Sequence, residues 1–219
     1  MTRPVSVSLD KVETWVFDLD NTLYPHSLRL FDQVTEKMRA YVMRELRLAE
    51  AEADTLRHRY WQEHGTTLAG LMENHAIDPI PFLDEGHEID LSALVPNAAL
   101  AAAIAALPGQ KIVYTNGSRR HAERVTEALG ITALFDAMYG IEDSGYEPKP
   151  RRVAFERVFG LAGLDPAASA MIEDDQRNLL EPAAMGLATI WHPPGEASPA
   201  EPHVHHVAPD LAEFLTRLA

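Results

Sequence analysis

Four short stretches carry residue types that could do chemistry together. "VFDLDNTL" places Asp18 and Asp20 two apart at the end of an apolar run. "YTNGS" offers Thr115, Asn116, Gly117 and Ser118, "EPKP" carries Lys149, and "MIEDD" ends in Glu173, Asp174 and Asp175. In an extended segment side chains two apart face the same side, so Asp18 and Asp20 can address one centre. Several carboxylates in one place repel unless a cation sits among them or one stays protonated. All-oxygen ligands favour a hard cation such as Mg²⁺. Lys149 and Thr115 supply the positive charge and the hydrogen-bond donor that a phosphate needs. A site holding both a divalent cation and a phosphate clamp suits phosphoryl transfer.

These residues must be positioned by a scaffold, and the pattern around them predicts one. "TWVFDLD", "KIVYTNGS", "DAMYGIEDSG", "SAMIEDD" and "LATIWHPP" read as short strands, with a further one in "HVHHVA". Helical patterns lie between them at 97–107, 118–129, 151–161 and 177–185, and a closing helix is predicted at 209–218. Apolar strands alternating with helices imply a doubly wound, Rossmann-like α/β fold with a parallel sheet covered on both faces. Ligands of such a sheet bind outside the carboxyl ends of the strands, where the polar groups above fall.

Residues 25–95 break the alternation. Leu30, Phe31, Val34, Met38, Tyr41, Val42 and Leu46 recur at three- and four-residue intervals, as in an amphipathic helix. A second helical stretch runs over 50–64 and a shorter one follows Thr67. The expected organisation is a core of 1–24 and 96–219 with a helical cap, 25–95, inserted after the first strand. The proline-rich "HPPGEASPAEP" is expected to be a surface loop.

Composition narrows the classes. The formal net charge of −14 argues against non-specific nucleic-acid binding. No apolar run approaches the ~20 residues that span a bilayer. "MTRPVSVSLD" lacks the apolar stretch of a secretory signal, and the chain has no cysteine, so disulfides and thiolate zinc sites are excluded. A cytoplasmic protein with neither nucleic acid nor membrane as partner is the expectation. His203, His205 and His206 raise the question of a metal site, although alternation on a strand would send His206 to the opposite face from the other two.

"DLDNT", "YTNGS", "PKP" followed by "VAF", and "MIEDD", in that order, resemble the four motifs of the haloacid dehalogenase-like hydrolase superfamily. The resemblance covers residues 12–24 and 96–219. It implies that Asp18 is the nucleophile, forming an aspartyl-phosphate, and that Asp20 is the general acid and base. It implies Mg²⁺ on Asp18, Asp174 and the Asp20 backbone carbonyl, with Glu173 or Asp175 holding metal-bound waters. Thr115 and the Asn116 N–H, beside Gly117, would hold the transferring phosphoryl, and Lys149 would neutralise its charge.

"DLDNTLYP", "YWQEHGTTLAGL" and "HAIDPIPFLDEGHEIDLSAL" further resemble the pyrimidine 5'-nucleotidase branch, which implies UMP or CMP as substrate and a role for Thr66 and Thr67. Residues 61–95 hold seven acids and no Lys or Arg. Their contribution to a ligand is expected from neutral groups: Tyr60, Trp61, His64, Thr66, Thr67, Asn74 or Phe82. Three other readings compete: another phosphatase or a phosphomutase, a haloacid dehalogenase, and a non-catalytic phospho-receiver. Dehalogenation needs neither Mg²⁺ nor an acid at the second position. A receiver carries its acidic pair and its phosphorylated Asp on different strands.

Overall fold

The structure, a computed structural model, describes residues 7–195 and 199–218. Residues 196–198 of the proline-rich loop and 1–6 of the N-terminal stretch lie outside the described residues. Six strands form one sheet: β1 (Thr14–Phe17), β2 (Gln110–Tyr114), β3 (Ala137–Tyr139), β4 (Ser169–Glu173), β5 (Ala188–Trp191) and β6 (His206–Val207). Their order is β3-β2-β1-β4-β5-β6, and every neighbouring pair is parallel.

Both faces of the sheet are covered, and strand alternation decides which residue meets which layer. Trp15 and Phe17 of β1 pack into one cluster with α5 (Ala98–Ala106), α6 (Arg119–Ala128) and α9 (Leu211–Thr216). Val16, between them, joins the opposite cluster with Phe155 and Val158 of α7 (Arg152–Ala162). Side-chain oxygens start the helices: Asn97 accepts from Leu100 N, Ser118 from His121 N, and Asp210 from Glu213 N.

Four further helices lie between β1 and α5: α1 (Leu30–Leu46), α2 (Glu50–His64), α3 (Thr67–His75) and α4 (Pro79–Gly86). They share a cluster of their own that includes Tyr41, Tyr60, Leu71 and Phe82 and reaches Ile141 after β3. Gly70 lets α3 come against α2, since a Cβ there would fall 2.2 Å from Cγ of Tyr60. Periodicity gives no sign of α4, because "DPIP" reads as a breaker. Its prolines sit in the first turn, where N–H groups have no intrahelical partner, and the Asp78 side chain caps Ile80 N at 3.0 Å.

Two other expectations need correction. The helix expected over 177–185 is a 3-10 turn, Gln176–Leu179, followed by α8 (Leu180–Met185). Pro182 lacks the N–H that a continuous α-helix would bond to the Asn178 carbonyl. The strand expected in "HVHHVA" is only two residues long. Its histidines serve the fold: Nε2 of His203 donates to Gln176 O and Nε2 of His206 to Val7 O, both at 2.7 Å. His205 Nδ1 accepts from Thr189 N at 3.1 Å. Among the described residues they form no metal-capable cluster.

Candidate active site

β1 runs between β2 and β4, so the residue after it lies at the middle of the sheet's carboxyl edge. That residue is Asp18, whose N–H continues the ladder to Ile172 O at 2.9 Å. Register brings Lys149, from the loop before α7, between Asp18 and the last residue of β4. Lys149 Nζ donates to Asp18 Oδ1 at 2.7 Å, to Glu173 Oε1 at 2.6 Å and to the Tyr114 carbonyl at 3.0 Å. Those three bonds use every proton of the ammonium. Its side chain is 1% exposed. Burial alone would strip the charge from Lys149, but the Asp18 and Glu173 carboxylates hold the proton more tightly than usual.

The carboxylates differ in their surroundings. Glu173 is fully tied: Oε1 also accepts from Asn178 Nδ2 at 2.8 Å and Oε2 from Asp175 N at 3.1 Å. Asp18 accepts from the Thr22 hydroxyl at 3.0 Å. Burial and the neighbouring Glu173 push its pKa up to about 7, against the pull of Lys149. No donor among the described residues reaches the Asp174 carboxylate, and burial with Glu173 and Asp18 nearby pushes it up to about 9. Oxygens of Asp18, Glu173 and Asp174 lie within 4.8 Å of one another. A crowded set of hard oxygen donors, one of them lacking any proton donor, fits a divalent cation such as Mg²⁺. Asp175 stands apart, paired with the Arg177 guanidinium, which stacks 3.9 Å from the ring centre of Trp61 on α2.

Asp20 is held by other means. Its Oδ1 accepts from the Tyr24 hydroxyl at 2.6 Å and from His121 Nε2 at 2.9 Å. Burial works to raise its pKa, yet these partners outweigh it and keep Asp20 at about 2. His121 sits in the first turn of α6 and stacks on His87, with ring centres 4.4 Å apart. Burial, then His121, lowers the His87 pKa to about 3. His87 follows α4, so the helical insert reaches the partner of Asp20. Gly117 closes this contact, because a Cβ there would meet His121 at 3.2 Å and His87 at 3.3 Å.

Thr115 Oγ1 accepts from Gly117 N at 2.9 Å, which shapes the turn after β2. Asn116 grips the backbone of Lys149 from both sides: Oδ1 accepts from Lys149 N at 2.8 Å and Nδ2 donates to Lys149 O at 3.0 Å.

A cavity of about 390 Å³ opens over these groups, within the size range of small-molecule sites. Asp18, Asp20, Thr115, Asn116, Lys149 and Asp174 line it from the sheet side, and Phe31, Trp61, Thr66, Thr67 and Phe82 from the insert. Thr66 Oγ1 is already engaged as the cap of α3, accepting from Ala69 N at 3.1 Å. Three expected contributors do not line the cavity. Tyr60 bonds His75, His64 bonds Glu73, and Asn74 donates to the Gly70 carbonyl.

Sequence reasoning missed Tyr24, Arg57, His87, His121 and Asn178. The signals were present for some: His121 lies in the first turn of the helix after "YTNGS", and Asn178 follows the acidic motif by one turn. His87 carried none, since its contact is made only across the fold.

The sequence model of the haloacid dehalogenase-like hydrolases matches residues 12–186. The chain belongs to that family. "Phosphate metabolism protein 8" of Saccharomyces cerevisiae is 29% identical over 197 residues, covering 82% of this chain and 61% of the yeast protein. The chain thus spans about three fifths of that relative's length. The HAD-hydrolase YfnB of Bacillus subtilis, solved bound to magnesium, superposes with a TM-score of 0.60 at 18% identity, over 95% of this chain and 99% of YfnB. The 2-haloacid dehalogenase of Pseudomonas syringae pv. Tomato DC3000 gives 0.59 at 19% identity, over 95% and 100%. At these identities the likeness is one of fold: a parallel sheet with helices on both sides. No described helix is long and apolar enough to cross a membrane.

Proposed function

We propose that this hydrolase is a Mg²⁺-dependent phosphomonoesterase working through an aspartyl-phosphate, with pyrimidine nucleoside 5'-monophosphates as substrates. One observation carries the phosphatase reading. Beside the nucleophile candidate stand two further acids: Asp20, whose Oδ1 is held by Tyr24 and His121, and Asp174, which offers an oxygen within 4.8 Å of oxygens of Asp18 and Glu173. Dehalogenation has no use for either. The yeast relative, whose name places it in phosphate metabolism, supports the same choice.

In this reading Asp18 attacks phosphorus while the bond to the leaving oxygen breaks, and Asp20 gives that oxygen a proton. Asp20 then takes a proton from the water that attacks the aspartyl-phosphate, releasing inorganic phosphate and freeing Asp18. Asp20 is ionised in the empty site, so its proton arrives with the anionic substrate, which makes the acid form easier to hold. Tyr24 and His121 keep Oδ1 fixed. Asp18 and Asp174 would hold Mg²⁺, with the Asp20 backbone carbonyl, and Glu173 would support them. The bound cation would withdraw charge from the phosphoryl oxygens. Lys149 keeps Asp18 in place, and Asn116 keeps Lys149 in place. Residues 25–95 act as the cap, with Thr66 and Thr67 near the leaving group.

The test is phosphate release from a panel of nucleotides and sugar phosphates, with Mg²⁺ and with EDTA. Turnover that prefers UMP or CMP and stops in EDTA is the expected result. Equal activity in EDTA would remove the metal assignment.

A further inference from the structure

The wall of the cavity contributed by the insert is not neutral. We propose that Arg57 on α2 is a specificity-determining residue, donating a hydrogen bond to a carbonyl oxygen on the substrate's leaving group. The proposal rests on the nucleotidase reading above and names the side chain that reads the base.

Arg57 lines the same cavity as Asp18 and Lys149, and its side chain is only 11% exposed. Nη1 donates to Asp54 Oδ1 at 2.9 Å. Nε is buried with no partner. A guanidinium has five N–H donors, so this one borders the cavity with donors unspent. Asp54 is shared, since its Oδ2 accepts from Arg39 Nη1 at 3.2 Å. Leaving guanidinium donors unpaired beside a cavity is unfavourable, and a substrate oxygen at the guanidinium edge would relieve it. The acid-rich 61–95 stretch concealed this group, since Arg57 precedes it by one helical turn.

The surroundings of Arg57 define what it would read. Phe31, Met38, Trp61 and Phe82 border the same space. Arg57 and Trp61, one turn apart, lie on one side of α2. A flat apolar ring with an oxygen acceptor at its edge fits such a wall, and a polyol does not. A pyrimidine base has that form, and its C2 carbonyl is common to uracil and cytosine. The planar fork of arginine suits such an acceptor in a way that lysine does not.

The test compares kcat/KM for UMP and CMP with that for phenyl phosphate, which has no acceptor on its ring, in the Mg²⁺-loaded full chain. In Arg57→Ala the ratio of UMP to phenyl phosphate should fall about 10–200-fold, chiefly through KM. Arg57→Lys keeps the ion pair with Asp54, and with it the local fold, and should recover little of the ratio. Because both substrates are measured on one sample, partial unfolding scales both rates and leaves the ratio alone. A wild type that prefers UMP, with the ratio unchanged in both variants, overturns the role of Arg57 and leaves the nucleotidase reading standing. A wild type with no preference for UMP or CMP over phenyl phosphate overturns the nucleotidase reading, and with it the carbonyl assigned to Arg57.

Discussion

Lys149 Nζ lies 2.7 Å from Oδ1 of Asp18, and both groups are buried. Lys149 also bonds Glu173, so it is the cation that lets two carboxylates share the sheet edge. Lys149→Met leaves them facing each other. Removing one partner of a buried ion pair costs about 3–5 kcal/mol, and urea unfolding at pH 8 should show a loss of that order. A variant as stable as the wild type would contradict the role given to Lys149. Combining it with Glu173→Gln should cost less than the two single changes added together.

The acid pair separates the chemical steps. Asp18→Asn removes the proposed nucleophile and should abolish turnover. Asp20→Asn retains it and should slow hydrolysis by about 10²–10⁴-fold. With a good leaving group Asp20→Asn should accumulate phosphorylated enzyme, visible by mass spectrometry as added phosphate on the peptide containing Asp18. Substantial activity in Asp18→Asn would move the nucleophile elsewhere.

Metal-free protein should lose stability as pH rises. Asp18 and Asp174 have pKa values raised from 3.8 to about 7 and about 9. The folded chain therefore holds protons that the unfolded chain has released. Their stabilising contribution is complete below 3.8 and is lost as pH climbs through about 7 and then about 9. Mg²⁺ would replace those protons, so the rise in Tm on adding it should be larger at pH 8 than at pH 5. A rise that is independent of pH would detach the cation from these two residues.

Other cations should sort by size. Mn²⁺ and Co²⁺ accept octahedral oxygen ligands and should support turnover. Ca²⁺ prefers more ligands at longer distances and should inhibit in competition with Mg²⁺. Initial rates over a metal titration measure both.

Thr67→Ala should lower kcat/KM more for UMP than for phenyl phosphate. Thr66→Ala also removes the cap of α3, worth about 0.5–2 kcal/mol. Its melting temperature should therefore fall, whereas Thr67→Ala should hold closer to the wild type. Equal losses on both substrates would take the two threonines out of base recognition.

β1, β2, β4 and β5 are legible in the sequence because each carries a short, nearly continuous apolar run, as strands buried on both faces do. The four motifs are legible because three follow strand ends at one sheet edge and the fourth, with Lys149, lies in the loop that precedes α7. The insert is legible in its first helices and not in α4, where prolines that normally break helices occupy its first turn. The support for Asp20 is not legible: His121 lies 101 residues away and reaches it only once α6 packs on the sheet. The C-terminal histidines mislead in the opposite direction. Three imidazoles within four residues suggest a metal, but separate backbone partners on the folded chain spread them apart.

Of the three tryptophans, Trp15 and Trp191 are buried, while Trp61 is 44% exposed with Arg177 seated on its ring. The two partners belong to different parts of the chain, Trp61 to the second helix of the insert and Arg177 to the turn behind the acidic motif. Separating the insert from the sheet edge exchanges a guanidinium for water over one indole and leaves the other two unaltered. The protein thus carries an optical gauge of its own aperture, readable from ultraviolet emission without any attached label.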